Sequence, residues 1–585
     1  MPHFNQNFWT ENGRTLCKPD LACLRQDHLL YKTSLMQLVG KIEFDENGIL
    51  LADKTLAATK FNLFIDKSIE ENVDLAITPE YSCPWSSINS FILENKHPTE
   101  NKIWIIGCQS IKPKEIKEFT ERHQNIIWIY DEELVNQSIN ENKFFDPVCI
   151  FLKTKNTIDE IKDVIILQFK THGFGGNGFE WERDNSIAGN TFYVIENSRP
   201  STRLVTLICS DTLQVIDFNT AENEYFKNNP LLIIHIQLNQ KPFQANYKLY
   251  RTLIFSKGKD DWNKEIICLN WARKVTFEED QEIKIFNEYG GSALYSKTEK
   301  IERTDERINH NHSKGLYYTS WSDKKSHIYF LNYDEFVFLI ENTKPSQIDS
   351  DPSQMKRTGP IILKTFSWNE GWEEITTIGD GFSQVCSEIE DEDGNFTCLR
   401  ENDNYTEVER IIQLSSGNIN LSAKEFWSQI INLYSFQIDD SEINNRNTFA
   451  QDPDITAQNN RKDKLRRYHF LKNKILSDPI QVPASFVDAI LKFDTTKNSK
   501  NIFLLNLHSP TNGRKGTAIY LGDKTLVEAK AFKANIENLF KDDQQGKQVM
   551  IWYNNPALTR IYDEENKPEI NENVSKSTVS FKKTK

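Results

Sequence analysis

The chain has 585 residues, more than a single hydrophobic core usually serves, so two or more domains are expected. Its 38% apolar and 26% charged residues are ordinary for a soluble globular protein, and its most apolar windows fall far short of the ~20 residues that span a bilayer. A net charge of −14 excludes a basic nucleic-acid footprint spread over the whole chain.

The first 15 residues are polar and lack the apolar run of a signal peptide. Residues 36–44 (MQLVGKIEF) read as a strand. Residues 51–72 read as a helix, with Leu56, Phe61, Leu63, Phe64, Ile65 and Ile69 near helical spacing. The apolar run 73–78 (VDLAIT) is a strand that ends at Pro79-Glu80. The same grammar returns at 102–107, 125–130, 164–169, 204–209, 231–238 and 265–269, all near-continuous apolar runs with helical stretches between several of them. Such runs indicate strands buried on both faces, hence an α/β fold with sheets covered by helices.

Residues 327–339 close this pattern. The stretch 341–360, rich in Pro, Ser, Asp and Lys, is the expected linker, which gives a first domain over 1–340. A separate C-terminal α+β domain of unassigned role is expected over 361–561, with strands at 502–507, 517–521 and 548–553 and helices at 424–434 and 531–539. Within it, 439–464 reads as a polar mobile loop. The charged segment 562–585 reads as a disordered tail.

The nine cysteines run from Cys17 to Cys398 without paired spacing. An odd count and the lack of any CxxC pair argue against a secreted disulfide framework and a structural zinc site, and fit a reducing cytoplasm. Three of the strands deliver a reactive side chain at their carboxyl ends, where α/β sheets place ligands. Residues 73–78 lead to Glu80, 164–169 to Lys170, and 204–208 to Cys209. A cysteine thiolate attacks an amide or nitrile carbon if a neighbouring base takes its proton, and Glu80 suits that role. Lys170 can neutralise the developing oxyanion, and the backbone N–H of Ser210 can donate to it. Tyr81 and His172 flank these residues as candidates for substrate contact.

The segments DLAITPEYS around Glu80, LQFKTHGF around Lys170 and RLVTLICSD around Cys209 resemble the nitrilase, or carbon–nitrogen hydrolase, superfamily. Asn270-Trp271-Ala272 and Gly290-Gly291-Ser292-Ala293 extend the resemblance over roughly residues 35–340. It implies an αββα four-layer sandwich, a Glu80–Lys170–Cys209 triad, a covalent thioester intermediate, and neither metal nor organic cofactor. A second glutamate in the loop after the lysine is also implied, Glu182 in preference to Glu180, and Arg251 would fall on a helix late in the domain. Homo-oligomers are common in this family. The expected activity is hydrolysis of a small-molecule amide or nitrile, with no membrane partner.

Each residue taken alone has a plainer reading. Cys209 behind an apolar run could be an inert core thiol, as Cys108, Cys149 and Cys268 are expected to be. Glu80 could cap a helix starting near Pro84. His172 reads as a hydrogen-bonded loop residue rather than a base. The glycine-rich run 173–178 lacks the GxxxxGK[ST] pattern and is expected to be a mobile loop bordering the site. The basic run 461–467 (RKDKLRR) could contact nucleic acid or an acidic protein, although such runs are more often a solvated helix face. The alternative to an enzyme is a binding or scaffold module of the same fold, within a multi-domain bacterial effector such as a stress or antiviral defence protein.

Overall fold

The structure, a computed structural model, describes the chain apart from residues 1, 174–179, 218–229, 241, 243–244, 257–263, 280–281, 287–289, 298–299, 302–303, 322–325, 349–350, 394–395, 397–398, 400–403, 419–434, 437–445, 452–454, 498–501, 540–548, 555–574 and 579–585. Two compact units are present, Met1–Ile378 and Gly379–Lys585.

The first unit opens with β1 (His3–Asn5), β2 (Leu30–Gln37), β3 (Lys41–Asp45), β4 (Gly48–Leu51), α1 (Lys54–Glu70), β5 (Leu75–Ile77), α2 (Trp85–Leu93), β6 (Ile103–Gly107) and α3 (Pro113–Arg122). Next come β7 (Ile127–Ile129), α4 (Glu132–Gln137), β8 (Pro147–Lys155), β9 (Ile161–Phe169), α5 (Glu180–Asn185), β10 (Thr191–Ile195), β11 (Arg203–Ile208), α6 (Asp211–Asp217), β12 (Leu231–Ile236) and α7 (Ala245–Ser256). The unit ends with β13 (Lys264–Leu269), β14 (Val275–Glu279), β15 (Glu282–Phe286), β16 (Ala293–Lys297), β17 (Lys300–Ile301), α8 (Asp305–Ser313), β18 (Leu316–Trp321), β19 (Ser326–Leu331) and β20 (Phe336–Thr343). Four last strands follow, β21 (Ser346–Ile348), β22 (Asp351–Arg357), β23 (Ile361–Trp368) and β24 (Trp372–Ile375).

Two large sheets result. One runs β24-β23-β20-β2-β5-β6-β8-β9-β7, the other β1-β10-β11-β12-β13-β16-β19-β18. On the first, β2, β5 and β6 are parallel neighbours; on the second, β11, β12 and β13 are parallel, with Leu204 opposite Leu232 and Leu232 opposite Glu265. The sheets face one another. Buried Gln168 on β9 donates to the Thr206 carbonyl of β11 at 2.9 Å and accepts the Tyr193 N–H of β10 at 3.2 Å. The opposite side of the first sheet takes α1, α2 and α3, whose Phe61, Phe64, Ile65, Ile88, Phe91 and Ile116 are buried with Trp104, Phe151, Ile165 and Leu167. Each such side chain stabilises the fold by roughly 1.5–3 kcal/mol. On the second sheet, α6 packs against β11 and α7, giving the expected helix–sheet–sheet–helix order.

The boundary expected at 341–360 has to be moved to Ile378. β20 pairs along its whole length with β2 and from Phe336 to Glu341 with β23, and β24 extends that same sheet. The Pro- and Ser-rich stretch carries the β21–β22 hairpin of a small sheet rather than a linker. Polar turn residues made the stretch look like a linker, because a short hairpin offers too few apolar positions to show a period.

The second unit contains α9 (Phe382–Asp393), α10 (Tyr405–Ser415), α11 (Ile455–Phe470), β25 (Ile490–Lys497), β26 (Ile502–His508), β27 (Lys515–Asp523), α12 (Leu526–Leu539), β28 (Val549–Asn554) and β29 (Ser575–Thr578). The strands form one sheet in chain order. The loop expected over 439–464 is corrected in its last ten residues, which belong to α11; the expected helix 424–434 lies outside the described residues. The tail is corrected at β29, which pairs antiparallel with β28. Within 461–467, Arg461 and Lys464 are buried, and Arg461 Nε donates to the Arg446 carbonyl at 2.9 Å, so the run is not one solvated basic face. Cys386 on α9 is disulfide-bonded, a pairing that the irregular cysteine spacing did not announce, whereas the other described cysteines are free. Among the described residues no helix is long and apolar enough to cross a membrane.

Candidate active site

β5 ends two residues before Pro79, and the chain turns sharply at Glu80-Tyr81. Tyr81 takes a positive φ of 56°, and the turn is pinned by Trp271 Nε1 donating to the Glu80 carbonyl at 2.8 Å. β6 passes so close that a Cβ at Gly107 would lie 2.1 Å from the Pro79 carbonyl oxygen, which requires glycine there. Glu80 is 1% exposed, and its Oε2 accepts the Leu238 N–H, just beyond β12, at 2.5 Å.

β9, three strands along the same sheet from β5, ends at Phe169, so Lys170 projects from its carboxyl end. Its Nζ lies 2.6 Å from Glu80 Oε1, 2.5 Å from Glu182 Oε1 and 3.5 Å from Asp146 Oδ2. The Tyr81 ring centroid is 5.7 Å from the same ammonium. Glu182 is carried on α5, which is anchored by Trp181 stacked on Phe144 and edge-on to Phe44. Burial works against the Lys170 charge, but Glu182 and Glu80 more than offset it and hold the ammonium well above its usual range. Oxygens of Glu80, Asp146 and Glu182 lie within 4.8 Å of one another, a spacing that suits a metal ion. The Lys170 ammonium already occupies the position such an ion would take.

Cys209 follows β11 at the elbow into α6 and is 5% exposed. Its φ is +41°, a left-handed conformation that costs a non-glycine residue on the order of 1–2 kcal/mol. Hydrogen bonds over-determine it. The Cys209 N–H donates to the Ile236 carbonyl at 2.8 Å, while its carbonyl accepts from His235 Nε2 at 3.0 Å and Thr212 Oγ1 at 3.2 Å. Burial pushes His235 down to about 3, so it is a neutral donor. Cys209 lies near enough to Lys170 for its charge to favour the ammonium.

Asp211 ties the last two strand ends together. Its carboxylate accepts Thr171 N–H and hydroxyl, His172 N–H and Ile208 N–H, at 2.7 to 3.2 Å. Burial nevertheless pushes it up to about 6, against those donors. The Ser210 hydroxyl donates to the His172 carbonyl, and His172 Nδ1 meets Gln214 Nε2 at 3.3 Å, which makes His172 a loop-fixing residue as expected.

The predicted residues Glu80, Tyr81, Lys170, Glu182 and Cys209 thus come together, with Ser210 directly after Cys209 and hydrogen-bonded to the His172 carbonyl. Arg251 is carried on α7, its guanidinium 4.9 Å from the Tyr295 ring centroid and its charge felt by His235. The glycine-rich run is outside the described residues from 174 onward, as is the side chain of Glu180. Cys108, Cys149 and Cys268 are buried, as expected. Sequence reasoning missed Asp146, Asp211 and His235. Asp211 stood in view two residues after Cys209, but Asp146 and His235 sit in or beside apolar strands with no local chemical context.

No family model matches the chain, and no curated protein matches it. Solved structures similar to it include glutamine-dependent NAD+ synthetase from Acinetobacter baumannii, 11% identical over 66% of this chain and 56% of that one, at a TM-score of 0.31. This chain therefore spans little more than half the length of that synthetase. XC1258 from Xanthomonas campestris, a CN-hydrolase superfamily protein, is 12% identical over 45% of this chain and 82% of its own, at 0.27. An amidase from Nesterenkonia sp. is 10% identical over 46% and 82%, at 0.24. What the site can do follows from its own side chains.

Proposed function

We propose that the first unit is a cysteine-dependent hydrolase of non-peptide carbon–nitrogen bonds, of amidase type, acting through a thioester. The observation that carries this reading is the buried Lys170 ammonium fixed between Glu80 and Glu182 beside a cysteine on a strained elbow. Structural burial alone gives no reason to hold a lysine, two glutamates and a positive-φ cysteine at three converging strand ends, since buried charges are costly unless they serve one another.

In this mechanism Glu80 takes the Cys209 thiol proton as sulfur attacks the amide carbon. The tetrahedral oxyanion is met by Lys170 and the Ser210 N–H. Collapse breaks the C–N bond, and the Glu80 proton leaves with the amine. Glu80 then takes a proton from water, whose oxygen attacks the thioester; collapse releases the carboxylic acid, and the Glu80 proton returns to the Cys209 sulfur. Glu182 holds Lys170 in place.

Iodoacetamide labelling near neutral pH, resolved by mass spectrometry at each cysteine, tests the reading. Cys209 should alkylate ahead of Cys83, Cys108 and Cys268 in the wild type and lose that lead in Glu80→Gln. A Cys209 no faster than those core thiols would sink the hydrolase and favour a scaffold role for this unit.

A further inference from the structure

Asp146 is the member of the Lys170 cluster that the mechanism leaves unused. It immediately precedes β8, is 1% exposed, and its backbone carbonyl accepts the Lys170 N–H at 2.9 Å. Neither carboxyl oxygen has a hydrogen-bond donor among the described residues. Lys170 Nζ, at 3.5 Å, is too far for a strong hydrogen bond and is already engaged by Glu80 and Glu182.

An ionised carboxylate accepts only, and one buried without a donor is strongly disfavoured. With Asp146, Glu80 and Glu182 all ionised, one ammonium would face three buried negative charges, and a Cys209 thiolate would add a fourth. One proton resolves the conflict. A protonated Asp146 becomes a donor, and Glu80 is the acceptor within its reach.

We propose that Asp146 is a positioning residue of this site, a carboxylic acid that keeps its proton and donates the O–H to Glu80, holding that carboxylate between Lys170 and the Leu238 N–H. Its catalytic consequence rests on the hydrolase reading; its protonation does not. Burial first, and Glu80 second, push Asp146 well above the usual carboxylate range, against the pull of Lys170. The groups facing it are Glu80 and Tyr81 from the turn after β5, Lys170 from the end of β9 and Glu182 from α5. A neutral donor here gives the Glu80 carboxyl a further partner beside Lys170 and the Leu238 N–H without adding charge to the cluster.

The arrangement separates two substitutions. Asp146→Asn preserves a neutral donor of the same shape, whereas Asp146→Ala removes it. The test uses the full chain and two readouts, infrared difference spectra at neutral pH and the rate of Cys209 alkylation. The wild type should show the carbonyl stretch of a protonated carboxyl that Asp146→Asn lacks. Alkylation should stay within about a factor of three of wild type in Asp146→Asn and fall by up to about a hundredfold in Asp146→Ala. The idea is overturned if the band is absent, if the asparagine variant is as slow as the alanine one, or if the alanine variant matches wild type. Should Asp146→Ala fail to fold, the band and the asparagine variant still decide. A wild-type Cys209 no faster than Cys108 would sink the hydrolase reading separately, and the band would still decide where the proton sits.

Discussion

Thr171 gives both its backbone N–H and its hydroxyl to Oδ1 of Asp211, at 2.7 and 2.8 Å. The residue after Lys170 is thereby locked to the second residue after Cys209, so the two strand ends cannot shift independently. Asp211 keeps this link although burial raises it from 3.8 to about 6. A group whose folded value is raised binds its proton more tightly in the folded state, so it stabilises the fold at low pH. That contribution is lost as pH climbs from about 4 through about 6. The stability advantage of wild type over Asp211→Asn should therefore shrink across this window, by about 3 kcal/mol at most. Denaturant titrations at a series of pH values measure it, and an advantage that grows with pH would mean that the four donors outweigh burial.

Glu182 and Glu180 flank Trp181 on α5, and Glu182 is the one on the Lys170 ammonium. Glu182→Gln removes a buried charge partner from Lys170 and should lower turnover about a hundredfold or more. Glu180→Gln is the paired comparison and should stay within about threefold of wild type where Glu182 alone serves Lys170. Paired initial rates on a simple aliphatic amide, or Cys209 alkylation rates before a substrate is found, distinguish the two. Equal losses would mean that α5 as a whole, rather than one carboxylate, matters.

What could be read from the sequence was whatever repeats or ends a strand. The apolar runs marked β5, β9, β11, β12 and β13 because strands buried on both faces need nothing but apolar residues. Their ends exposed Glu80, Lys170 and Cys209 as changes of residue type. Asp146 was hidden because its partners come from residues 80, 170 and 182, and no local pattern encodes such a meeting. His235 lies inside an apolar run, where a lone histidine reads as core. The β23–β24 extension was obscured for a different reason, since an edge hairpin after a polar turn carries too few apolar positions to declare its sheet.

His235 supports the Cys209 elbow, as the neutral donor to the Cys209 carbonyl. Tyr250 Oη and Gln237 Nε2 lie 3.2 Å from its other ring nitrogen, which fixes the ring. His235→Leu leaves that carbonyl to the Thr212 hydroxyl and backbone N–H, at 3.2 and 3.4 Å, and should cost about 1–3 kcal/mol of stability while slowing Cys209 alkylation. His235→Gln can offer an amide donor and should recover part of both losses. Because His235 is held near 3, no step in the wild-type alkylation profile should appear at the ordinary histidine value of 6.5. Such a step, abolished in His235→Leu, would show that the ring titrates and that the elbow responds to pH.

The position of the domain boundary has its own test. β20 spans Phe336–Thr343 and is sandwiched between β2 and β23, with Val337, Leu339, Phe366 and Trp372 in the same buried cluster as the helices α1 and α2. A chain ending at residue 340 would cut β20 itself, remove β23 and β24, and leave a long apolar edge of the kind that recruits other chains. A chain ending at Ile378 keeps the whole sheet. The longer piece should unfold in one cooperative thermal transition and alkylate at Cys209 like the full chain, whereas the shorter one should aggregate. If both aggregate, the second unit is required for the first to fold; if the 340-residue piece folds, β23 and β24 are dispensable and the sheet ends where the sequence pattern alone had placed it.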